Sequence, residues 1–359
     1  MAIPRRRQFD AANPPWLHCI SRCVRRAFLC GTDTDGRVLD HRRRWIEERL
    51  RLLAQAAACD VAGHAVMANH VHVVMRMAPE RARSWSDREV VERWLRIWPI
   101  ARHDDGSPVE ASPEVVEALV GYSKKVAIWR QRLTDLGWTM KALKEAIARR
   151  ANREDRCSGA CWEGRYKSVP LLDQAALTAC MVYVDLNPIR AGVADRPESA
   201  RHTSAYERIR VRQAVRRAAA LRRAGQRERA RRLLQEVGAS AGSLVSDGQH
   251  PWLTPLEDCF AYRGRGLQLD DYLALVDATG RLLRGDRSGA VKAELLPLLK
   301  RLDLDHQRWL VCMLGWRQFI GAAVGDARAR VAEASRRGLR WVQNRCALFA
   351  AAGSPPQSC

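Results

Sequence analysis

The chain contains 359 residues, of which 47% are hydrophobic, so it is long enough for two domains or for one large domain with insertions. Its 61 Lys and Arg residues outnumber its 40 Asp and Glu residues, and the formal net charge of +21 favours a polyanionic partner such as nucleic acid. There is no run of about 18 apolar residues, and no apolar segment follows the basic start at 1–10. These features argue against a membrane protein. They predict a cytoplasmic protein that is nucleoid-associated when bound to DNA.

The eleven cysteines form no regular framework, and several have apolar neighbours, which is typical of reduced thiols. Cys19 and Cys23 have the same spacing as Cys157 and Cys161, so four thiolates could in principle bind zinc. Zinc knuckles usually have two residues between their cysteines, whereas three residues separate each of these pairs. We therefore interpret them as core or loop cysteines.

The first part of the chain predicts a strand, a helix and a hairpin, in this order. A strand is predicted over 16–24, and apolar residues at helical spacing predict a helix over 40–58. Two further strands are predicted over 60–67 and 70–75. The short segment Ala68-Asn69 between them fits a hairpin turn.

A helical insertion is predicted over about 78–136. Ser86 followed by Glu89 is a capping-box pattern ahead of an apolar helix, and Ser112 before Pro113 marks the start of another helix. These helices interrupt the succession of strands, so we expect the sheet to resume after them.

The chain continues with an amphipathic helix over 138–151, a fourth strand over 161–169 and a helix over 173–187. The last helix should end at Asn187, because the residue before a proline is disfavoured in the α region. The order strand, helix, strand, strand, helices, strand, helix is that of a ferredoxin-like antiparallel sheet. The sequence therefore predicts an α+β fold with a helical insertion and a helical C-terminal extension.

We divide the chain into a domain at 1–210 and a basic helical extension at 211–359, whose role the sequence does not reveal. Residues 212–234 are rich in Arg and Ala, and they form either a basic arm on DNA or a solvated helix. The net charge favours the arm. Further helical patterns cover 258–302 and 308–351. Their tryptophans are interpreted as core residues rather than base-stacking platforms; these are Trp309, Trp316 and Trp341.

Two short motifs carry residues that could perform chemistry. His70 and His72 alternate with apolar residues on a predicted strand, so both imidazoles emerge on one face, roughly 6.6 Å apart along the strand. Tyr183 and Asn187 are four residues apart on a predicted helix, so they lie one above the other. A phenol and an amide carbonyl would then face the same point.

These residue types suit metal-assisted cleavage of a phosphodiester. Neutral imidazoles and an amide oxygen are suitable ligands for Mg²⁺ or Mn²⁺, and such an ion can act as a Lewis acid. Tyrosine has an ordinary pKa of about 10 and attacks only when its proton is removed or its anion is stabilised. A tyrosine beside a metal therefore predicts strand cleavage through a phosphotyrosine, which conserves the bond energy for rejoining.

Three segments give the sequence a resemblance to single-tyrosine HUH transposases of small bacterial insertion sequences, including REP-associated tyrosine transposases. The resemblance covers about residues 15–208 and is interrupted by the insertion. Ala68 replaces a usual proline and Glu163 a common glutamine, and neither supplies the predicted chemistry. The three segments are Met67-Ala68-Asn69-His70-Val71-His72, Trp162-Glu163-Gly164-Arg165-Tyr166-Lys167-Ser168 and Tyr183-Val184-Asp185-Leu186-Asn187-Pro188-Ile189-Arg190-Ala191-Gly192.

The resemblance implies that His70, His72 and Asn187 bind a divalent metal, Mg or Mn, and that Tyr183 is the nucleophile. It also implies single-stranded DNA with hairpins as the substrate, a 5′-phosphotyrosine intermediate with a free 3′-hydroxyl, and a homodimer. Basic residues near these motifs would suit phosphate contacts. They are Arg165, Lys167, Arg190, Lys141 and Lys144.

Other interpretations stay open. A non-catalytic DNA-binding protein derived from a transposase would keep the basic surface without needing Tyr183. A metal-dependent hydrolase would need regular strand and helix alternation and further ligands, which the sequence lacks. Tyr183 could also be a core residue and Asn187 a helix C-cap. Three further histidines are interpreted as structural or DNA-contacting: His18, His64 and His202.

Overall fold

The computed structural model describes residues 10, 13–24, 29–33, 35–238, 252–260, 267–284, 295–300, 304–319 and 323–342. Most of the basic start of the chain, and parts of the two helical patterns predicted over 258–302 and 308–351, lie outside the described residues. No helix within the described ranges is both long enough and apolar enough to cross a membrane.

The fold is built on one sheet of four antiparallel strands in the order β2-β3-β1-β4. This is the ferredoxin-like order, so the predicted α+β fold class is confirmed. The predicted hairpin turn at Ala68-Asn69 joins β2 to β3. The strands are Trp16–Arg22 (β1), Cys59–Val66 (β2), His70–Met77 (β3) and Lys167–Leu171 (β4).

Helices fill the connections between the strands and follow the last of them. Ser86 and Glu89 form the predicted capping box, in which each side chain binds the other residue's backbone N–H. Before β4 the helices are His41–Ala56 (α1), Pro79–Ser84 (α2), Asp87–Ile97 (α3), Pro113–Val120 (α4), Ser123–Leu133 (α5) and Leu136–Glu154 (α6). After β4 the helices with described bounds are Gln174–Asp185 (α7), Asn187–Arg190 (α8), Ser204–Arg223 (α9), Arg227–Glu236 (α10), Leu256–Cys259 (α11), Leu269–Leu283 (α12), His306–Phe319 (α13) and Ala327–Arg336 (α14), and residues 295–300 are also helical.

Both faces of the sheet are covered, because successive residues of a strand point to opposite sides. On one face, Leu17, Val73 and Met75 pack with α1, α6 and the helices of the insertion. On the other face, Val74 and Val169 pack against α7. Each face therefore has its own apolar cluster, and the strands separate them.

The C-terminal helices complete the cluster on the α7 face. Tyr272 of α12 and both Trp309 and Trp316 of α13 are buried in it. The prediction that these two tryptophans are core residues is confirmed. For Trp341 the same prediction is wrong, since its side chain is 68% exposed. Helix α14 ends at Arg336, so Trp341 lies beyond the helix. Helical periodicity therefore does not place its side chain on a buried face.

The predicted basic arm falls on α9 and α10, which form a helical pair with a small apolar contact of their own. The first half of α9 packs on the body of the protein, where Arg208 is buried and Arg212 pairs with Asp270 at 2.5 Å. The second half carries exposed arginines, among them Arg217 and Arg222. The assignment of this pair to DNA stays a prediction.

Two predicted boundaries are corrected by the structure. Strand β4 begins at Lys167 rather than at residue 161, because Gly164 has a left-handed φ of +72° that a strand does not accommodate. Helix α7 ends at Asp185, but Asn187 is not pushed into an extended conformation. Instead it begins α8, where Pro188 occupies an early position at which a missing N–H costs little.

Candidate functional site

His70 and His72 lie on the face of β3 that packs against α7. His72 stands opposite Ile20 of β1, and His70 stands opposite Arg22. The two imidazole centroids are 4.8 Å apart, close enough for both rings to contact one ion. His72 is 3% exposed and His70 is half-buried, so this pair extends from the core towards solvent at the end of the sheet.

A third histidine, His18 of β1, joins this pair. Its Nε2 lies 2.8 Å from Nδ1 of His72, and the two rings stack with centroids 5.1 Å apart. Burial, and secondarily the charge of His70, lower the pKa of His18 to about 3, so this ring is neutral at physiological pH. An outer hydrogen bond of this kind fixes the tautomer and orientation of a metal-binding histidine in known sites.

Tyr183 faces the same histidines from α7. Its ring centroid is 5.9 Å from that of His72 and 6.2 Å from that of His18, in edge-on arrangements. Helix α7 is fixed at its start by Asp173, whose carboxylate accepts the backbone N–H of Ala176 at 2.7 Å. The structure thus brings the predicted nucleophile to the predicted metal-binding face.

Asn187 is 2% exposed and holds the junction between α7 and α8. Its amide Nδ2 donates to the carbonyl oxygens of Tyr183 at 3.0 Å and Val184 at 3.3 Å. The C-cap of α7 is Leu186 rather than Asn187, but the Asn187 side chain satisfies carbonyl oxygens of the last turn of α7, which is a structural role beside the predicted ligand role. The amide nitrogen is used by the backbone, and the oxygen is the atom that a metal would require.

A buried carboxylate anchors α7 two residues after the tyrosine. Asp185 accepts hydrogen bonds from the Ser204 hydroxyl at 2.6 Å, from the Ala205 N–H at 2.9 Å and from the Tyr272 hydroxyl. Burial raises the pKa of Asp185, while these donors oppose the rise. The contacts tie α7 to α9 and α12, so helices from the C-terminal half position Tyr183. Sequence reasoning missed this role of Asp185.

Helix α13 covers the tyrosine, which is only 1% exposed. The Trp316 indole stacks on the Tyr183 ring with centroids 5.5 Å apart. The Arg190 guanidinium lies 5.3 Å from the same ring centroid and donates to the carbonyl oxygens of Met313 and, at 3.2 Å, Leu314. Nothing in the motifs signals this cover, because its residues lie more than a hundred positions further along the chain.

The residues predicted to contact DNA occupy three places. Arg190 lies over Tyr183. Lys167 is exposed on β4 opposite Ile20, so it belongs to the same row across the sheet as His72. The other three, Lys141, Lys144 and Arg165, line a groove beside α6 whose lining does not include Tyr183.

The donor set at the histidine face is compatible with a divalent ion. Within the described ranges, no group of three or more His, Cys, Asp or Glu side chains is arranged to hold a metal. A site here therefore requires the amide oxygen of Asn187, or phosphate and water oxygens, beside His70 and His72. The buried Nδ1 of His18 has no hydrogen-bond partner among the described residues, which marks this region as polar and incompletely satisfied.

Comparisons with known proteins add little to this geometry. No protein-family model matches the chain, and no curated protein matches it. One solved structure that resembles it is a REP-associated tyrosine transposase bound to a REP hairpin. The two share 10% identity and a TM-score of 0.34, over 58% of this chain and 86% of the other. A resemblance of this size does not establish a function.

Proposed function

We propose that this protein cleaves and rejoins single-stranded DNA through a covalent phosphotyrosine at Tyr183. The observation that carries the proposal is the convergence of Tyr183 on His72, with ring centroids 5.9 Å apart, at the end of a ferredoxin-like sheet. A phenol buried against apolar side chains alone would be a core residue. A phenol edge-on to the rings of His18 and His72, with His70 beside His72, supports a chemical role.

In the proposed reaction, the phenolic oxygen of Tyr183 attacks a backbone phosphorus and loses its proton. The bond from phosphorus to the 3′ oxygen breaks, so the 5′ phosphate stays on the tyrosine and the 3′ oxygen leaves as a hydroxyl after taking up a proton. Attack by a 3′-hydroxyl reverses these steps and rejoins the strand. Mg²⁺ or Mn²⁺, held by His70, His72 and Asn187, would supply Lewis-acid polarisation of the phosphate.

The cover over Tyr183 must open before DNA can bind there. Trp316 and the backbone carbonyls that accept from Arg190 belong to α13, so displacement of this helix would expose the ring and release the guanidinium. Arg190 would then be able to bind a phosphate in place of the carbonyl oxygens. We therefore expect α13 to lower the activity of the free protein.

The net charge of +21 supports DNA as the partner, and the basic surface of α9 and α10 extends the binding area beyond the site. The same proposal includes a hairpin in the substrate, a homodimeric assembly and a cytoplasmic, nucleoid-associated location.

The test uses the full-length protein with end-labelled single-stranded DNA from the regions that flank its own gene, in the presence of Mn²⁺. The proposal predicts a covalent adduct that survives denaturation and requires the metal. A non-catalytic DNA-binding protein would bind the same DNA without cleaving it. A metal hydrolase would cleave the DNA without forming the adduct.

A further inference from the structure

A groove of about 810 Å³ lies between α6 and the loop that precedes β4, and we call it the α6 groove. Its floor contains Met140, Trp162 and Tyr166, and Ala148 and Ala160 line its sides. The volume falls within the usual range for ligand sites, roughly 300–1,000 Å³. The floor is apolar and aromatic, so it suits a flat organic group better than a small anion.

The floor is held in place by contacts from α6. The indole Nε1 of Trp162 donates to the carbonyl oxygen of Lys144 at 2.8 Å, and Lys144 Nζ donates to the carbonyl oxygen of Gly164 at 2.6 Å. Gly164 has a φ of +72°, which turns the loop back over the groove. These hydrogen bonds join α6 to the loop and so fix the shape of the groove.

The rim of the groove is cationic. Lys141 and Arg165 are exposed there, and Lys144 lies beside them. The acid on this rim, Glu145, is engaged by Arg149 at 2.5 Å and by Lys141 at 4.0 Å. An aromatic floor within a positive rim is the combination by which proteins bind unpaired nucleotides, the base on the rings and the phosphate on the cations.

The groove lies at the end of the sheet that carries the candidate site. Arg165 and Tyr166 line it, and the next residue, Lys167, stands opposite Ile20, which itself stands opposite His72. Tyr166 packs in the apolar cluster on the α6 face of the sheet, whereas Lys167 shares a row with Ile20 and His72 on the other face. A strand of DNA that passes Lys167 would therefore run around the end of the sheet, from the α6 groove on one face to Tyr183 on the other.

We infer that the α6 groove binds one unpaired nucleotide of the DNA strand that is held at Tyr183, with its base against Trp162 and Tyr166. This inference rests on the proposed function, since it names a subsite for the same substrate. A base in the groove would fix the position of the strand relative to the tyrosine, and so the phosphodiester that is cleaved.

Binding can be tested without cleavage, in Tyr183→Phe protein with EDTA. Fluorescence anisotropy compares labelled dT20 with an abasic strand of the same length, which keeps the phosphates but lacks the bases. Stacking contributes about 1–3 kcal/mol per base, so dT20 should bind about 5- to 150-fold more tightly. Ala160→Phe, which fills the groove from an exposed position, should bring this ratio close to one.

Ala101→Phe is the matched control, because Ala101 is also exposed but lies outside the groove. It should keep the preference for dT20. A dT20 preference that survives Ala160→Phe, or no preference in the parent protein, would overturn the inference. Neither result depends on an adduct, so this test and the test of cleavage can fail separately.

Photocrosslinking gives an independent readout. A strand that contains 5-iododeoxyuridine should crosslink to the peptide with Trp162 or Tyr166, as identified by mass spectrometry. Crosslinks on other peptides alone would contradict the assignment of the base to this groove.

Discussion

The two faces of the sheet differ although they are made from the same strands. One face of β3 presents Val71, Val73 and Met75 to α1 and α6, and its neighbours are apolar. The other presents His70 and His72 to α7. Because side chains alternate along a strand, the histidines of the candidate site lie on one face only, although that face also carries the buried Val74. Substitutions of the histidines should therefore reduce cleavage, whereas substitutions of the apolar residues that alternate with them should reduce stability.

The largest expected effect is the loss of cleavage on the histidine face. The double variant His70→Ala, His72→Ala removes both imidazoles, so metal-dependent cleavage should fall below detection. Asn187→Ala should weaken metal dependence less, because water can replace one neutral ligand. Mn²⁺ titration of each variant measures this, and unchanged affinity in the double variant would contradict the metal site.

Met75→Ala tests the opposite face. This side chain is 2% exposed in the apolar cluster, so its truncation should cost about 2–5 kcal/mol of unfolding free energy. At denaturant concentrations below the unfolding transition, the folded fraction of this variant should still cleave DNA. Denaturant unfolding and cleavage are measured on the same sample. A Met75→Ala protein that is stable but inactive would mean that the two faces are not separable in this way.

His18 sharpens the comparison, because it would act on a bound metal through its hydrogen bond to His72. His18→Ala should reduce Mn²⁺ affinity or cleavage by about 10- to 100-fold, as loss of an outer hydrogen bond does in known metal sites. His18→Gln, whose amide oxygen can still accept a hydrogen bond from Nδ1–H of His72, should recover part of the loss. If both variants retain full Mn²⁺ affinity, His18 is only a packing residue.

Trp316→Ala tests the cover over the tyrosine. A stacked aromatic pair contributes about 0.5–1.5 kcal/mol, so its loss should raise the open population, and the initial cleavage rate, by about 2- to 12-fold. Trp341→Ala is the control, since this tryptophan is 68% exposed in the same part of the chain. Equal rates in all three proteins would show that α13 does not limit access.

The sequence predicts the sheet well because its signals are local. The alternation around His70 and His72, the turn at Ala68-Asn69 and the order of elements are all set by neighbouring residues, and the ferredoxin-like fold follows from them. The sequence does not predict the late start of β4, because a glycine is compatible with a strand unless its φ is positive, and only the structure shows that the φ of Gly164 is +72°.

Much of the candidate site depends on contacts that the sequence does not display. The alternation in β1 assigns a face to His18, and the predicted fold places β1 beside β3, but only the register of the two strands puts His18 against His72. The sequence predicts Trp316 as a core residue, but its partner Tyr183 is 133 positions away along the chain. Long-range packing of this kind produces no periodic pattern in the sequence.

The central claim is that Tyr183 forms the covalent bond to DNA, and adduct mapping tests it most directly. Tyr183→Phe removes one oxygen and keeps the ring's packing against His72 and Trp316, so folding and DNA binding should persist while cleavage and the adduct vanish. Mass spectrometry of the trapped wild-type adduct should place the nucleotide on the peptide with residues 181–190. An adduct on another tyrosine, such as Tyr166 in the α6 groove or Tyr206 in α9, would contradict the account, as would cleavage by the phenylalanine variant.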